Sequence, residues 1–211
     1  MKLTSGQKLL FVGDSITDCG RRAAERPYGN GYVSLFMELQ RAHSPELCIE
    51  YVNKGIGGNT IRNLRHRWED DVIRERPDWL GIMIGINDCH CWLRTGEADL
   101  SPAAFRETYA NLLSAAASAC DPNLLLIDPF YISRDQSGLG FRSEVLNALQ
   151  RYTAAVEDVA REHGARHVRM HEVFQRHLQY APPDQFAPEP VHPFRSGHLI
   201  IAWEILQALN A

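Results

Sequence analysis

The segment Leu9-Leu10-Phe11-Val12-Gly13-Asp14-Ser15 carries the first sign of both the fold and a functional site. Four consecutive apolar residues bounded by polar ones predict a short, buried strand. Gly13 and the polar residues after it predict a tight turn where the strand ends. A serine in this position is held at the mouth of a sheet, where a nucleophile would be useful. A Gly-Asp-Ser run can also be a plain structural turn. Other segments must therefore indicate whether this serine is a nucleophile.

Outward from this segment, short apolar runs alternate with longer helical patterns. Strands are predicted at residues 9–12, 49–52, 79–84 and 124–127, with a weaker one at 166–169. Apolar residues recur at helical spacing over residues 61–72, 105–116 and 145–159, and a last helix is predicted from about residue 196 to 209. Ser101 and Pro102 are typical of an N-cap and of a first helical position. The alternation predicts one α/β domain over residues 1–211, with a parallel sheet wrapped by helices.

The composition of the chain argues against several classes of function. The formal net charge is −4 and the Lys and Arg residues are scattered, which argues against nucleic-acid binding. The first apolar run is too short for the core of a signal peptide, and no later stretch could span a membrane, so a soluble cytoplasmic protein is expected. The five cysteines are an odd number without a paired framework, as is typical of reduced thiols.

The loop after the second predicted strand is rich in glycine. It reads Gly57-Gly58-Asn59-Thr60 and leads into a predicted helix. Glycines at a helix entrance leave backbone N–H groups exposed to a ligand. A phosphate loop would need Lys-Ser or Lys-Thr after the glycines, and Asn59-Thr60 stands there instead. A backbone N–H that stabilises an oxyanion fits better, and a structural turn is the alternative.

Two further segments place polar side chains where they could meet Ser15. Gly85-Ile86-Asn87-Asp88 is predicted to be a loop after the third predicted strand, and a neutral Asn87 amide could stabilise developing negative charge. Glu189-Pro190-Val191-His192-Pro193 is predicted to be extended, because each proline disfavours helical geometry in the residue before it. An acid shortly before a histidine can orient the ring through Nδ1 while Nε2 faces a serine. A lone Asn is otherwise a turn former, and a lone His is otherwise a surface residue.

Together, these four blocks resemble, in order, the signature blocks of the SGNH (GDSL) hydrolase family over residues 9–205. The resemblance implies a three-layer α/β/α sandwich with a central parallel five-stranded sheet of the flavodoxin-like kind. It also implies Ser15 as nucleophile and His192 as general base. The oxyanion hole would consist of the backbone N–H groups of Ser15 and Gly58 and the amide of Asn87. The implied reaction is carboxylic ester hydrolysis through an acyl-serine, without a metal or cofactor.

More narrowly, the sequence around Ser15, Lys54 and Asn87 is similar to that of intracellular bacterial acetylxylan esterases. This similarity implies removal of O-acetyl groups from xylo-oligosaccharides or related small sugars, with possible assembly into homo-oligomers. A general short-chain carboxylesterase or lysophospholipase is the alternative enzyme. A catalytically weakened carbohydrate-binding protein is the alternative from another class.

The third member of the catalytic triad departs from the family pattern. The family usually has Asp three residues before the histidine, and this chain has Glu189. Glu189 offers a carboxylate, but its additional methylene changes reach and orientation. We therefore expect either an adjusted loop backbone or a different acid, of which Asp184 is the nearest, while a solvated Glu189 is the plain interpretation.

Other residues near the predicted site have two interpretations each. Trp92 and Tyr131 could contact a sugar, or they could pack their loops onto the domain. Asp14 is expected to anchor its loop rather than to react. The Cys89-His90-Cys91 run resembles a metal site, but no second ligand pair with zinc spacing exists, so no metal is expected.

Overall fold

The central sheet of the computed structural model, which describes residues 2–210, contains five parallel strands. They are β1 (Lys8–Gly13), β2 (Glu50–Gly55), β3 (Trp79–Met83), β4 (Asn123–Ile127) and β5 (Arg166–Val168). Their spatial order is β2-β1-β3-β4-β5, the flavodoxin-like order. All strand pairs are parallel, with Gly13 in register with Gly55 of β2 and Met83 of β3. The predicted strands and the predicted parallel sheet are confirmed.

Eight α-helices flank the sheet within the described chain. They are α1 (Ser15–Asp18), α2 (Tyr32–His43), α3 (Ile61–Trp68), α4 (Ile86–Thr95), α5 (Pro102–Ala119), α6 (Phe141–Glu162), α7 (Met170–His177) and α8 (Arg195–Asn210). Helix α2 packs against α8, whereas α5 packs against α3 and α6, which completes the predicted three-layer sandwich. None of the helices within residues 2–210 combines the length and the apolar character needed to cross a membrane.

Helices α3, α5, α6 and α8 lie where the apolar spacing predicts them. Ser101 caps α5 by accepting a hydrogen bond from the Ala104 N–H at 3.4 Å, and Pro102 takes the first helical position. The interpretation of the Asn87 segment as a loop is wrong, because α4 begins at Ile86 directly after the strand. The signal was the recurrence of Ile86, Cys89 and Leu93, which all pack into or against the core.

The first turn of α1 folds back closely against the ends of the strands. A Cβ added at Gly13 would lie 2.4 Å from both the Met83 carbonyl oxygen and the Thr17 hydroxyl oxygen. A side chain at this position would therefore push α1 away from the sheet. Because β1 lies between β2 and β3, the residues that follow these strands meet at one edge of the sheet. This edge holds Ser15, the Gly57–Gly58 turn and Asn87.

A buried histidine joins α8 to the segment around α1 and α2. His198 is 5% exposed, and its Nδ1 accepts a hydrogen bond from the Tyr32 N–H at 3.2 Å. The ring is therefore neutral with its hydrogen on Nε2, which lies 3.4 Å from Cys19 Sγ. Burial, and secondly the nearby His192, lower the pKa of His198 from 6.5 to about 4. Protonation of this ring is consequently coupled to unfolding.

We expect His198 to make the protein less stable in acid. As pH falls from 6.5 to about 4, the unfolded chain binds a proton at this residue before the folded chain does. Up to about 3 kcal/mol of unfolding free energy should be lost across this window. The stability advantage of the wild type over His198→Gln, measured by urea unfolding, should shrink accordingly between neutral pH and about pH 4. The exposed control His66→Gln should leave the pH dependence unchanged, and parallel curves for wild type and His198→Gln would contradict this expectation.

Candidate active site

Ser15 is the first residue of α1, and the residue before it fixes the start of that helix. Asp14 is the N-cap, and its carboxylate accepts a hydrogen bond from the Ile16 N–H at 3.0 Å. Burial raises the pKa of Asp14 to about 6, although the Ile16 N–H and the nearby His192 oppose the rise. The Asp14 carboxylate thus points into the protein, as expected of a loop anchor, while the partly exposed Ser15 side chain stays accessible.

A chain of hydrogen bonds connects Ser15 to the C-terminal loop. The Ser15 hydroxyl lies 2.9 Å from His192 Nε2. On the other side of the ring, His192 Nδ1 lies 2.5 Å from Glu189 Oε1. The three side chains therefore form the serine–histidine–carboxylate arrangement that the sequence predicts. Such an arrangement can move a proton from the hydroxyl to the imidazole while the carboxylate holds the ring.

The loop backbone accommodates Glu189 in the position where the family usually has Asp. Its carboxylate also accepts hydrogen bonds from the Val191 N–H at 2.9 Å and the His192 N–H at 2.7 Å. Partial burial raises the pKa of Glu189, but these two N–H groups and the His192 ring outweigh it and hold the pKa below its usual value. The carboxylate therefore stays charged and oriented. Asp184 lies in an exposed turn over Pro183–Gln185.

The Gly57–Gly58 turn lies beside Ser15 and leaves one N–H without a partner. A Cβ added at Gly57 would be 3.8 Å from the Ser15 Cβ. The Gly57 N–H donates to Asp18 Oδ2 at 3.1 Å. The N–H groups of the neighbouring residues are also used, by acceptors on residues 13, 56, 63 and 88. Within residues 2–210, the Gly58 N–H makes no hydrogen bond, and neither does the Ser15 N–H. Both are free to bind an anion.

Asn87 lies in the first turn of α4, and its amide holds the glycine-rich turn. The Asn87 Nδ2 group donates to the Asn59 carbonyl oxygen at 3.0 Å and keeps its second hydrogen. The next residue, Asp88, is fully buried, and its Oδ1 accepts from the Ile61 N–H at 2.9 Å. Burial raises the pKa of Asp88 to about 7, against the opposing effect of that N–H. Both residues thus connect α4 to the turn between β2 and α3.

The two aromatic residues predicted as possible sugar contacts, Trp92 and Tyr131, are partly and almost fully buried. Tyr131 is 4% exposed, and its ring packs edge-on against His90 with centroids 5.7 Å apart. Trp92 is partly buried, with the Arg151 guanidinium 5.2 Å from its ring centroid. These contacts favour the packing interpretation of both residues.

The Cys89-His90-Cys91 run lies on α4, where residues two apart do not share a face. Cys89 is buried in the core, where burial raises the pKa of its thiol to about 12. Within the described residues 2–210, no group of three His, Cys, Asp or Glu side chains is placed to hold a metal ion. The run serves the packing of α4.

Asn53 helps to build the site but was not among the site residues predicted from the sequence. Asn53 is buried in β2 and donates hydrogen bonds to the carbonyl oxygens of Thr17 at 2.7 Å and Tyr28 at 2.8 Å. Its own Oδ1 accepts from the Gly55 N–H at 2.8 Å. Asn53 therefore ties α1 to β2. The available signal was its place two residues after the apolar Tyr51, on the buried face of β2, since a polar group buried there requires partners.

The chain is similar to known proteins over nearly its whole length. Residues 11–200 match the model of the GDSL-like lipase/acylhydrolase family. The chain is 37% identical to an acetylxylan esterase of Geobacillus stearothermophilus, over 100% of this chain and 97% of that protein. A crystal structure of Axe2, an acetylxylan esterase from the same organism, has a TM-score of 0.89 and 36% identity, covering 100% of this chain and 97% of that one. LAE5, an α/β hydrolase enzyme from the metagenome of Lake Arreo in Spain, has a TM-score of 0.88 and 30% identity, covering 99% of this chain and 97% of that one.

The roles of Glu189 and Asp184 can be separated by labelling Ser15 with a serine-directed phosphonate. We expect Ser15 to react and Glu189→Ala to slow the reaction at least about tenfold, because the ring of His192 loses its orienting partner. Asp184→Ala is the control and should label at the wild-type rate. The measurement is the rate of mass increase, with Ser15→Ala as the blank. A wild-type rate in Glu189→Ala together with a slow rate in Asp184→Ala would reverse the assignment.

Proposed function

The chain belongs to the GDSL-like lipase/acylhydrolase family and is a carboxylic ester hydrolase; from this premise we propose that it removes O-acetyl groups from xylo-oligosaccharides or related small sugars. The observation that carries the proposal is the hydrogen-bonded chain from Ser15 through His192 to Glu189, beside a Gly58 N–H without a partner. The whole chain would act as one catalytic domain, which its continuous hydrophobic core supports. Homo-oligomer formation and a cytoplasmic location stay predictions.

The proposed reaction begins with attack of Ser15 Oγ on the ester carbonyl carbon while His192 Nε2 takes the hydroxyl proton. The carbonyl oxygen becomes an oxyanion, which the N–H groups of Ser15 and Gly58 and the second amide hydrogen of Asn87 would stabilise. The bond to the sugar oxygen then breaks as His192 returns the proton to it. Water, activated by the same imidazole, hydrolyses the acetyl-serine to acetate and free Ser15.

The exposure of the site supports a polar leaving group. The side chains of His192 and Glu189 are 57% and 43% exposed, and both glycines of the turn are exposed. An open rim of this kind leaves room for the hydroxyl-rich chain of an oligosaccharide. The Geobacillus relative is an acetylxylan esterase, and its similarity extends over the entire chain.

The proposed oxyanion hole predicts a specific kinetic signature. Asn87→Ala should reduce kcat by ~100–1000-fold with little change in KM, because the lost hydrogen bond forms only in the transition state. Ser15→Ala and His192→Ala should abolish turnover almost completely. Steady-state hydrolysis of 4-nitrophenyl acetate provides the measurement, and Asn111→Ala on the exposed face of α5 is the control. An Asn87→Ala enzyme with wild-type kcat would remove Asn87 from the oxyanion hole.

The substrate proposal is tested by varying the acyl chain and the alcohol independently. We expect kcat/KM to be highest for acetylated xylobiose and to fall as the acyl group of a common alcohol is lengthened from acetyl to octanoyl. A preference for octanoyl esters would refute the acetyl-sugar proposal and indicate a lysophospholipase. Equal rates for acetylated xylobiose and simple acetate esters would indicate a general short-chain carboxylesterase.

A further inference from the structure

The side chain of Arg67, in the last turn of α3, reaches beneath the proposed site and is only 15% exposed. Its Nε donates to Asn59 Oδ1 at 2.9 Å, and Nη1 donates to the Lys54 carbonyl oxygen at 2.7 Å. Its Nη2 donates to the Gly13 carbonyl oxygen at 3.1 Å. One planar group therefore binds the end of β1, the end of β2 and the glycine-rich turn.

Two of these acceptors, Gly13 and Asn59, lie within two residues of a proposed oxyanion donor. Gly13 is two residues before Ser15, whose N–H is one donor. Asn59 follows Gly58, which supplies the second donor. The Asn59 carbonyl oxygen accepts from the amide of Asn87, the third donor. A displacement of Arg67 would therefore reach all three groups, through the short backbone segments 13–15 and 58–59 and through the hydrogen bond between Asn87 and Asn59.

The charge of Arg67 is balanced beside the turn, so its influence on the site is geometric. Nη1 also donates to Asp71 Oδ2 at 2.5 Å, one turn further along the chain. The paired carboxylate offsets the cost of holding a guanidinium in this partly buried place. Lysine cannot replace this pattern, because its single ammonium lacks the fixed fork that reaches three acceptors in one plane.

We propose that Arg67 is a positioning residue that sets the spacing of the three oxyanion donors. The inference rests on the proposed function, since it assumes that Ser15, Gly58 and Asn87 stabilise the transition state. Arg67 does not touch the substrate; it acts by holding Asn59 and Gly13. Because oxyanion stabilisation is realised in the transition state, loss of this spacing should lower kcat and leave KM nearly unchanged.

The first test is Arg67→Lys, assayed on the same acetyl ester as the wild type. We expect kcat to fall by about 10–100-fold, which is less than the ~100–1000-fold expected when one oxyanion donor is removed. KM should stay within about twofold of the wild-type value. Arg62→Lys is the matched control: it lies on the same helix, but its guanidinium contacts the carboxylates of Glu97 and Asp99. Arg62→Lys should keep the wild-type kcat. Urea unfolding of both variants shows how much protein is folded in the assay.

The second test is Asn59→Ala, which removes the acceptor of Arg67 Nε and leaves the Arg67–Asp71 pair intact. It keeps the inference testable if Arg67→Lys does not fold. We expect Asn59→Ala to lower kcat at constant KM, and the double variant Arg67→Lys/Asn59→Ala to lose less than the product of the two single effects, because both act through one contact.

Three results would overturn the role of Arg67: wild-type kcat in both single variants, an activity loss that merely follows the unfolded fraction, or a rise in KM at constant kcat. These outcomes differ from failure of the proposed function. If the wild-type chain hydrolyses no ester and Ser15 resists phosphonate labelling, the proposed function fails. If the wild type is active and labelled while Arg67→Lys and Asn59→Ala match it, only the positioning role fails.

Discussion

The close approach of α1 to the ends of β1 and β2 is the constraint on which the site depends. A Cβ at Gly13 would clash with the Met83 carbonyl oxygen and with Thr17, and a Cβ at Gly55 would lie 2.2 Å from the Asp18 nitrogen. Two strands therefore confine the backbone of α1, and Asn53 fastens it to β2 from within. Ser15 is thus placed by the sheet itself and not by a mobile loop. Its position is set before a substrate arrives, as electrostatic stabilisation of a transition state requires.

The second half of the site is built by a loop that supplies its own rigidity. In Glu189, one carboxylate binds the Val191 N–H, the His192 N–H and the His192 ring. The side chain of Glu189 folds back over its own loop. Its additional methylene, relative to aspartate, is accommodated by this folded conformation. The Ile132 N–H donates to the Pro190 carbonyl oxygen at 2.8 Å and ties the loop to the segment after β4. The imidazole consequently has little freedom to turn away from Ser15.

The sequence predicts those parts of the molecule that local patterns encode. The strands are apolar runs, and Ser15, Gly58 and Asn87 follow strands whose ends must meet at one edge of a parallel sheet, whereas His192 lies in the proline-rich loop before the last helix. The helical nature of the Asn87 segment was missed because its polar residues conceal the spacing of Ile86, Cys89 and Leu93. Contacts between residues far apart in the sequence cannot be predicted from local patterns. The residues around Trp92, for example, do not indicate that Arg151 covers its ring. The same holds for Arg67, whose three acceptors come from residues 8 to 54 positions away.

Two buried carboxylates near the site make an unfavourable contribution to the stability of the fold. Asp14 and Asp88 each accept a backbone N–H at the start of a helix, where such groups lack partners within the helix. Burial raises the pKa of both, and within the described chain Asp88 Oδ2 has no hydrogen-bond partner. An apolar residue would be cheaper to bury but would leave the N–H groups of Ile16 and Ile61 without acceptors. These two N–H groups lie in the first turns of α1 and α3. The unfavourable burial is therefore concentrated at the two helix starts that hold Ser15 and the glycine-rich turn in position.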